Sequence, residues 1–226
     1  MQFLATTADH RSKHSWAAAC RKKRFAHLHG LLSRLEGPVR ILDVGGTPDY
    51  WLSLVEQIPA NWHITLLNIE LPAERHPDFQ YLRGDARDLS QFADGSFEVV
   101  ISNSVIEHVG QWSDQARMAA EVQRVGQRIY IQTPNRYFPI EPHFLTPGFQ
   151  FLPEWAQVWL LQHVSLGTYG RVRDRAAAVE LVREIRLLSG AEVRRLFPHA
   201  SVTAEKVLGL NKSWIATAGW ENPVAA

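Results

Sequence analysis

The segment ILDVGGTPDYW, residues 41–51, constrains the fold more than any other stretch of the sequence. Its opening run ILDV is short, mostly apolar and followed by glycine, which is typical of a parallel strand buried on both faces. Gly45 and Gly46 permit a tight turn, Thr47 suits the N-cap of a helix, and Pro48 suits its first position. The segment therefore predicts a strand, a tight loop and a helix, with a ligand above the end of the strand.

Further apolar runs alternate with helix-like spacing along the chain. Strands are predicted at 39–44, 62–69, 79–82, 97–102 and 128–133, and helices at 48–57 and 113–125. This alternation indicates an α/β fold with a doubly wound, mostly parallel sheet. Two more runs, SVTAEKVLGL and KSWIATAG, are joined so closely that they must pair antiparallel, which gives seven strands with an antiparallel C-terminal edge strand.

The chain is interpreted as one domain, 1–226, because 226 residues with 46% hydrophobic content can bury one full core. Residues 1–38 are expected to form an N-terminal helical cap. Residues 134–188 interrupt the alternation with many prolines and aromatic residues, and are interpreted as an inserted flap on the substrate side of the sheet.

The charge balance offers no general reason to expect binding to nucleic acid, because the formal net charge is only +1. No apolar run approaches the length of about 20 residues that spans a membrane, so stable membrane insertion is not expected. Charged residues flank the short apolar run at 16–20 in the wrong order for a secretion signal, and the single cysteine, Cys20, has no partner for an internal disulfide. We therefore predict a cytoplasmic protein.

The loop at 45–49 does not match the G-x-G-x-x-G pattern that dinucleotide-binding proteins use. Asp43, on the strand side of the loop, would repel a pyrophosphate, whereas it suits a ligand that carries an amino group or a positive charge. The segment DVGGTPD resembles motif I of the class I S-adenosylmethionine-dependent methyltransferases, usually D/E-x-G-x-G-x-G. Residues 39–133 fit that family in order, and FEVVISNSVIEHV resembles the methyltransferase 11-type branch.

The resemblance implies a Rossmann-like methyltransferase fold, S-adenosyl-L-methionine as cofactor, and a set of binding residues. It places Asp43, Gly45 and Gly46 at the methyl donor, Glu70 on the ribose hydroxyls, and Asp85 and the backbone of Ala86 at the adenine. It also places Asn103, with Ser104, Glu107 and His108, near the methionine end. A carboxylate can accept two hydrogen bonds from a diol, so the role of Glu70 agrees with its chemistry. Thr47 and Asp49 depart from the family pattern, since they replace later glycines.

Two histidines are candidate catalytic residues. His108 follows the fourth strand, where it can receive a substrate proton or make a structural hydrogen bond. His143 lies in the flap, and Glu141, two residues earlier, points the same way in an extended loop, so the two can orient one another or bind a metal together. No metal is expected, because no third ligand can be assigned and methyl transfer from a sulfonium does not require one.

The flap also carries aromatic residues that either form its own small core or line a pocket for a hydrophobic or aromatic acceptor: Tyr137, Phe138, Phe144, Phe149, Phe151, Trp155 and Trp159. The basic run RKKR at 21–24 is interpreted as a solvated helix face.

The sequence thus predicts a methyltransferase that acts on a small-molecule acceptor, by O-methylation with a histidine as general base. N- or C-methylation stays open, because the donor site is shared across these reactions. A non-catalytic donor-binding partner subunit would have the same loop and differ in the flap. An NAD-dependent oxidoreductase would need the missing glycine, and an RNA methyltransferase should show a basic stripe with stacking aromatics.

Overall fold

The computed structural model of the chain describes residues 16–53, 57–167 and 169–220. The helices are α1 Trp16–Leu32, α2 Pro48–Leu52, α3 Trp112–Val125, α4 Glu154–His163, α5 Arg175–Glu184 and α6 Gly190–Leu196. The strands are β1 Val39–Val44, β2 Trp62–Asn68, β3 Phe79–Arg83, β4 Val99–Asn103, β5 Ile129–Pro134, β6 Ile140–Glu141, β7 Thr146–Pro147, β8 Ser201–Val207 and β9 Leu210–Ala218. Two 3₁₀ turns lie at Ile106–His108 and Phe149–Phe151.

Seven strands form one sheet in the order β3-β2-β1-β4-β5-β9-β8. Strands β1 to β5 pair in parallel, whereas β9 runs antiparallel between β5 and β8. The predicted α/β class, with its mostly parallel sheet and an antiparallel C-terminal pair at the edge, is confirmed. The order reverses at β1, where the chain leaves toward β2 on one side and β4 joins on the other, so the carboxyl ends of these strands form a crevice.

The central strand β1 is buried on both faces, as its apolar run predicts. Val39 and Ile41 pack with α1 and with Trp51 of α2 on one face of the sheet. Leu42 and Val44 pack on the other face, against α3 and α6. Since helices cover both faces, a strand at this position has to be apolar along almost its whole length.

The region from β6 to α5 packs around its own small core, formed by Phe144, Phe149, Val158, Leu161, Leu166 and Ala178. The aromatic residues of this region therefore divide into two groups. Phe144 and Phe149 are each only 2% exposed, while Tyr137, Phe151, Trp155 and Trp159 are between 52% and 74% exposed. Core formation explains the first group and not the second.

Several element boundaries differ slightly from those that the sequence predicts. Strand β2 ends at Asn68, one residue earlier than expected, so Glu70 lies just beyond it. Thr47 is the N-cap of α2, but its side chain makes no capping hydrogen bond. The predicted continuation of α2 toward residue 57 includes 54–56, and the predicted cap includes 1–15, and both stretches lie outside the described residues.

The basic run at 21–24 is not uniformly solvated. Lys22 and Lys23 are exposed, but Arg24 is only 6% exposed. Its guanidinium donates to both carboxylate oxygens of Glu205 on β8, at 3.0 and 2.7 Å. The interpretation of RKKR as a solvated face is therefore wrong for Arg24, because the Arg24 side chain contacts β8 at the antiparallel edge of the sheet.

Candidate functional site

Gly45 and Gly46 lie at the carboxyl end of β1, where both positions exclude any larger residue. Gly45 has φ +74°, and a Cβ on it would overlap the side chain of Val105. A Cβ on Gly46 would overlap the carboxylate of Asp43. The backbone N–H of Gly45 donates to Leu67 O at 2.7 Å. This bond attaches the turn to β2, and the Gly45 N–H is therefore not free to bind a ligand.

Asp43 is 2% exposed and lies directly below this turn. Its Oδ2 accepts a hydrogen bond of 2.8 Å from Nε1 of Trp51, which ties α2 to β1. Burial raises the pKa of Asp43 to about 7, although the Trp51 hydrogen bond opposes that change. A buried carboxyl that ionises near neutral pH responds strongly to a cation placed beside it.

Glu70 is exposed just past the end of β2. Asn68, at the last position of β2, donates from Nδ2 to Gly46 O at 2.8 Å. This bond connects the β1 and β2 loops, so the segment that carries Glu70 starts beside the glycine turn. Sequence reasoning did not single out Asn68.

Asp85 and Ala86 follow β3. Both carboxylate oxygens of Asp85 accept from the guanidinium of Arg87, at 2.6 to 3.0 Å, and Oδ1 also accepts from the Arg87 N–H. The Arg87 hydrogen bond lowers the pKa of Asp85. Ala86 is buried. A ligand at Asp85 would therefore share a carboxylate that Arg87 already holds.

Asn103 ends β4, and the chain turns sharply after it. Ser104 has φ +57°, in the left-handed region that few non-glycine residues adopt, and its hydroxyl donates to Oε1 of Gln132 at 2.9 Å. This turn directs the next residues into the 3₁₀ turn that carries Glu107 and His108.

His108 and His143 meet although they are far apart in the chain. Their Nε2 atoms are 3.1 Å apart. His143 Nδ1 lies 2.7 Å from Oε1 of Glu141, and Oε2 of Glu141 accepts from the backbone N–H groups of His143 and Phe144 at 2.7 and 2.6 Å. The expected pairing of Glu141 with His143 is present, and the buried carboxylate of Glu141 is fully bonded.

Glu107 is the fourth acidic or imidazole group at this place, and it is 0% exposed. Its Oε2 accepts from the hydroxyl of Thr133 at 3.0 Å, whereas its Oε1 has no hydrogen-bond partner among the described residues. Burial raises the pKa of Glu107 to about 7. The sequence places Glu107 near the donor but gives no signal that it faces a histidine 36 positions later.

The two imidazoles differ in their preference for a proton. Burial, with the neighbouring His143, lowers the pKa of His108 to about 4. Burial also disfavours protonation of His143, but the hydrogen bond and charge of Glu141, together with Glu107 and Glu184, outweigh it and raise the pKa of His143. A proton shared between the two rings therefore belongs mainly to His143.

A cavity of about 340 Å³ adjoins this group of residues. It is lined by Gln111 at the N-cap of α3 and by residues of the 134–188 region, among them Arg136, Glu141, Phe144, Phe149, Gln150 and Arg186. Glu141 lines the cavity and also bonds His143, so the cavity and the histidine pair share one carboxylate. The cavity does not include the glycine turn, and its volume is in the range of small-molecule sites.

Comparison with known proteins identifies the chain. A family model described as a methyltransferase domain matches residues 14–196. The chain belongs to this methyltransferase family. It is an S-adenosylmethionine-dependent methyltransferase, as its resemblance to class I predicts. The residues present fit this donor, because carboxylates rather than cationic side chains stand at the ends of β1 and β2.

Two solved structures with TM-scores above 0.5 share the fold of the methyltransferase, and a third matches at a lower TM-score. A Burkholderia thailandensis 1,6-didemethyltoxoflavin-N1-methyltransferase with bound S-adenosylhomocysteine is 15% identical, with TM-score 0.52 over 96% of this chain and 84% of that chain. A possible exported protein from Bordetella parapertussis is 12% identical, with TM-score 0.53 over 89% and 69% of the two chains. A Methanosarcina mazei methyltransferase has TM-score 0.48 at 16% identity, over 84% and 95%. No curated protein matches in sequence.

Among the residues that the structure describes, no helix is both long and apolar enough to cross a bilayer.

Proposed function

We propose that the methyltransferase transfers the methyl group to an oxygen of a small-molecule acceptor, and that His143 and His108 receive the acceptor's proton. The observation that carries this proposal is the contact between Glu141, His143 and His108 immediately after β4. Strand β4 is the direct neighbour of β1. A proton-accepting group therefore lies beside the strand ends that we assign to the donor.

The donor is assigned to the turn after β1 and the loops after β2, β3 and β4. Asp43 faces its positive charge, and Gly45 and Gly46 let the chain approach it closely. Glu70 accepts from the ribose hydroxyls, Asp85 and the Ala86 backbone contact the adenine, and Asn103 lies at the methionine end. When bound, S-adenosylmethionine supplies an electrophilic methyl group on a sulfonium.

The chain's own contribution is positioning of the acceptor and exclusion of water. Methyl displacement needs the acceptor atom in line with the methyl at about 3 to 3.5 Å, so a fixed acceptor provides most of the acceleration. We assign the acceptor's body to the cavity that Glu141 shares with the histidine pair. We further propose that the cap, 1–38, and the flap, 134–188, cover the acceptor within a single domain, 1–226.

The orientation of His143 supports its role. The bond from Nδ1 to Glu141 leaves Nε2 as the nitrogen that exchanges a proton. His143 is only 15% exposed at its side chain, so bulk water competes little for that nitrogen. His108, 29% exposed, lies on the more open side of the pair.

The experiment that tests the proposal incubates the protein with S-adenosylmethionine and a panel of small phenols and aliphatic alcohols, with matched amines as controls. Release of S-adenosylhomocysteine and the methylated product are measured by mass spectrometry. Transfer to hydroxyl compounds supports the proposal. Transfer to amines alone would overturn the O-methylation, and donor binding without transfer to any member of a broad panel would favour the partner-subunit alternative.

Replacing Glu70 with alanine is expected to weaken donor binding by about 10- to 100-fold, because hydrogen bonds to a charged acceptor contribute about 1.5–3 kcal/mol. Calorimetric titration with S-adenosylhomocysteine measures this change. Glu74→Ala removes another exposed carboxylate four residues away and is the matched control, expected to leave binding unchanged. Equal effects of the two substitutions would refute the ribose assignment.

Donor binding should also depend on pH through Asp43. Because the pKa of Asp43 is raised to about 7, this carboxyl is mostly neutral at pH 6 and mostly ionised at pH 8. The ionised form attracts the cationic donor, so affinity should fall about tenfold from pH 8 to pH 6. Calorimetry in two buffers of different ionisation enthalpy should detect proton release on binding at pH 6.

Asp43→Asn separates this effect from the titration of Glu107, whose pKa is also about 7. An asparagine oxygen can still accept from Trp51 Nε1, so the contact between β1 and α2 is kept. We expect the variant to bind the donor weakly at both pH values and to release no proton. A pH dependence that survives the substitution would show that Asp43 does not face the donor's charge.

A further inference from the structure

Glu107, His108 and His143 bring three metal-ligating groups to one place. One ligand atom from each of them lies within 4.8 Å of the other two. Two of the groups come from the 3₁₀ turn after β4, and the third comes from the connection between β6 and β7. A single carboxylate and two imidazoles from separate elements form a ligand set that transition metals use.

The two imidazoles face each other through nitrogen atoms that need a cation between them. His143 Nδ1 lies 2.7 Å from Oε1 of Glu141, and the other oxygen of Glu141 accepts two backbone N–H groups, so Glu141 acts as an acceptor here and Nδ1 is the donor. The two Nε2 atoms at 3.1 Å would repel each other as bare lone pairs. Either a proton or a metal ion resolves this contact. Two nitrogens bound tetrahedrally to zinc at about 2.0–2.1 Å are about 3.3 Å apart, which is close to the separation found.

Glu107 supplies an independent observation that points to a ligand. Its side chain is fully buried, and Oε1 has no hydrogen-bond partner among the described residues. A buried carboxylate oxygen without a partner is costly, and natural structures rarely keep one without a reason. A cation beside His108 and His143 would neutralise this oxygen. A proton shared between the two rings does not satisfy it.

The groups behind the two imidazoles match those found around metal-bound histidines. Such a histidine almost always donates its second ring N–H to a carboxylate, a backbone carbonyl or water, which fixes the ring and strengthens the ligand. Glu141 does this for His143 at 2.7 Å. Glu184 Oε1 lies 4.0 Å from Nδ1 of His108, on the side away from His143. Thr133 holds the other oxygen of Glu107.

We propose that Glu107 Oε1, His108 Nε2 and His143 Nε2 bind one divalent transition-metal ion. Two imidazole ligands favour zinc, copper, iron or nickel over magnesium and calcium, which prefer oxygen. The reason for expecting no metal was the lack of a third ligand, and Glu107 is that ligand. Three protein ligands would leave a fourth coordination position for water or for an acceptor atom.

One consequence rests on the proposed function. An acceptor hydroxyl that binds this ion becomes more acidic. Both Nε2 atoms are then bound to the metal, so the hydroxyl loses its proton to solvent. In the metal-free protein the histidine pair itself receives that proton. Metal binding as such requires neither the donor nor the acceptor.

The test titrates chelator-treated protein, without donor or acceptor, with Zn²⁺ in competition with a chromophoric chelator. Co²⁺ titration with visible spectroscopy reports the coordination geometry. We expect one ion per chain at micromolar metal and negligible binding of Mg²⁺. Glu107→Gln and His143→Ala should each weaken Zn²⁺ binding at least 100-fold, and Glu141→Gln about 10- to 100-fold.

His76→Ala is the matched control, because His76 also lies beside a carboxylate, with Nδ1 3.8 Å from Asp78 Oδ2, but outside the cluster. It should bind Zn²⁺ like the original protein. Circular dichroism of the metal-free variants checks that each is folded. The Zn²⁺-induced rise in Tm, which should disappear in Glu107→Gln, gives a second readout.

Binding that needs millimolar Zn²⁺, or that persists in Glu107→Gln and His143→Ala, would overturn the metal site. Donor titration of the same samples separates this outcome from a failure of the proposed function. A protein that binds S-adenosylhomocysteine but no Zn²⁺ refutes only the metal site, whereas loss of donor binding in the original protein refutes the donor assignment.

Discussion

Replacing Arg24 with alanine should lower the free energy of unfolding by about 3–5 kcal/mol, because it leaves a buried carboxylate without its main partner. Arg24 joins α1 to β8 through two hydrogen bonds to Glu205, and both side chains are less than 10% exposed. Ser213 donates a further bond of 2.6 Å to Glu205, and Lys212 Nζ lies 3.7 Å from Oε2 of Glu205. At that distance Lys212 makes no hydrogen bond, so it replaces the two bonds from Arg24 only in part. Urea denaturation monitored by circular dichroism measures the change.

The ion pair between Arg40 and Glu98 is a matched control for this substitution. Arg40 also donates to both oxygens of a carboxylate, from Nε at 3.0 Å and from Nη2 at 2.7 Å, but the Arg40 side chain is 54% exposed. Water screens this pair, so Arg40→Ala should cost far less than Arg24→Ala. If the two substitutions had equal effects, the Arg24 pair would not be a buried contact in solution.

A double substitution separates the contribution of the ion pair to the free energy of unfolding from the cost of leaving one buried charge unpaired. Arg24→Met with Glu205→Leu removes both charges and keeps apolar volume, and this kind of change is often neutral or stabilising. We expect the double variant to be more stable than Arg24→Ala. A double variant as unstable as Arg24→Ala would indicate that the lost packing of α1, rather than the unpaired carboxylate, causes the loss.

The fold could be predicted largely from local pattern, because central strands such as β1 and β5 are mostly apolar runs bounded by glycine or polar residues. The predicted strands at 39–44 and 128–133 match β1 and β5 to within a residue at each end. The run Ser-Gly-Ala-Glu at 189–192 has the spacing of a helix capping box, and the structure forms it: the Ser189 side chain accepts from the Glu192 N–H, and the Glu192 side chain accepts from the Ser189 N–H. These features depend on neighbours within a few positions.

The features that sequence reasoning missed depend on contacts between distant residues. Arg24 and Glu205 are 181 positions apart, and only the position of β8 at the sheet edge brings them together. Glu107 was placed near the donor, but the fold turns its carboxyl toward His143. The spacing of Glu141 and His143 is visible in the sequence. The contact between His143 and His108 is not, because it depends on how the flap folds back toward the end of β4.

His143→Ala should reduce kcat for methyl transfer by about 10²- to 10⁴-fold, since this range is typical for the loss of a positioned proton acceptor. The kcat should also fall if His143 acts as a metal ligand instead. Affinity for S-adenosylhomocysteine should change little, because the assigned donor contacts come from the ends of β1 to β4, whereas His143 lies between β6 and β7. The measurement is kcat on the best acceptor of the hydroxyl panel, together with calorimetric donor binding.

His163→Ala is the control from the same region. His163 is exposed at the end of α4, where its ring stacks on Trp159 at 4.6 Å. It contacts no residue of the cluster in the described part of the chain, so its loss should leave kcat within about twofold, the range of an uninvolved surface site. Glu141→Gln should lie between the two variants, because it weakens the orientation of His143 without removing the imidazole.

The effects of His143→Ala on kcat and on donor affinity, compared with each other, show which of the two bound molecules His143 contacts. A fall in kcat with unchanged donor binding places His143 at the acceptor. An equal fall in both would place it at the donor, since a residue that holds the donor affects binding before any transfer takes place. A variant that keeps nearly full kcat would show that the acceptor's proton leaves without His143, and the oxygen acceptor would then have to be one that is already ionised at neutral pH.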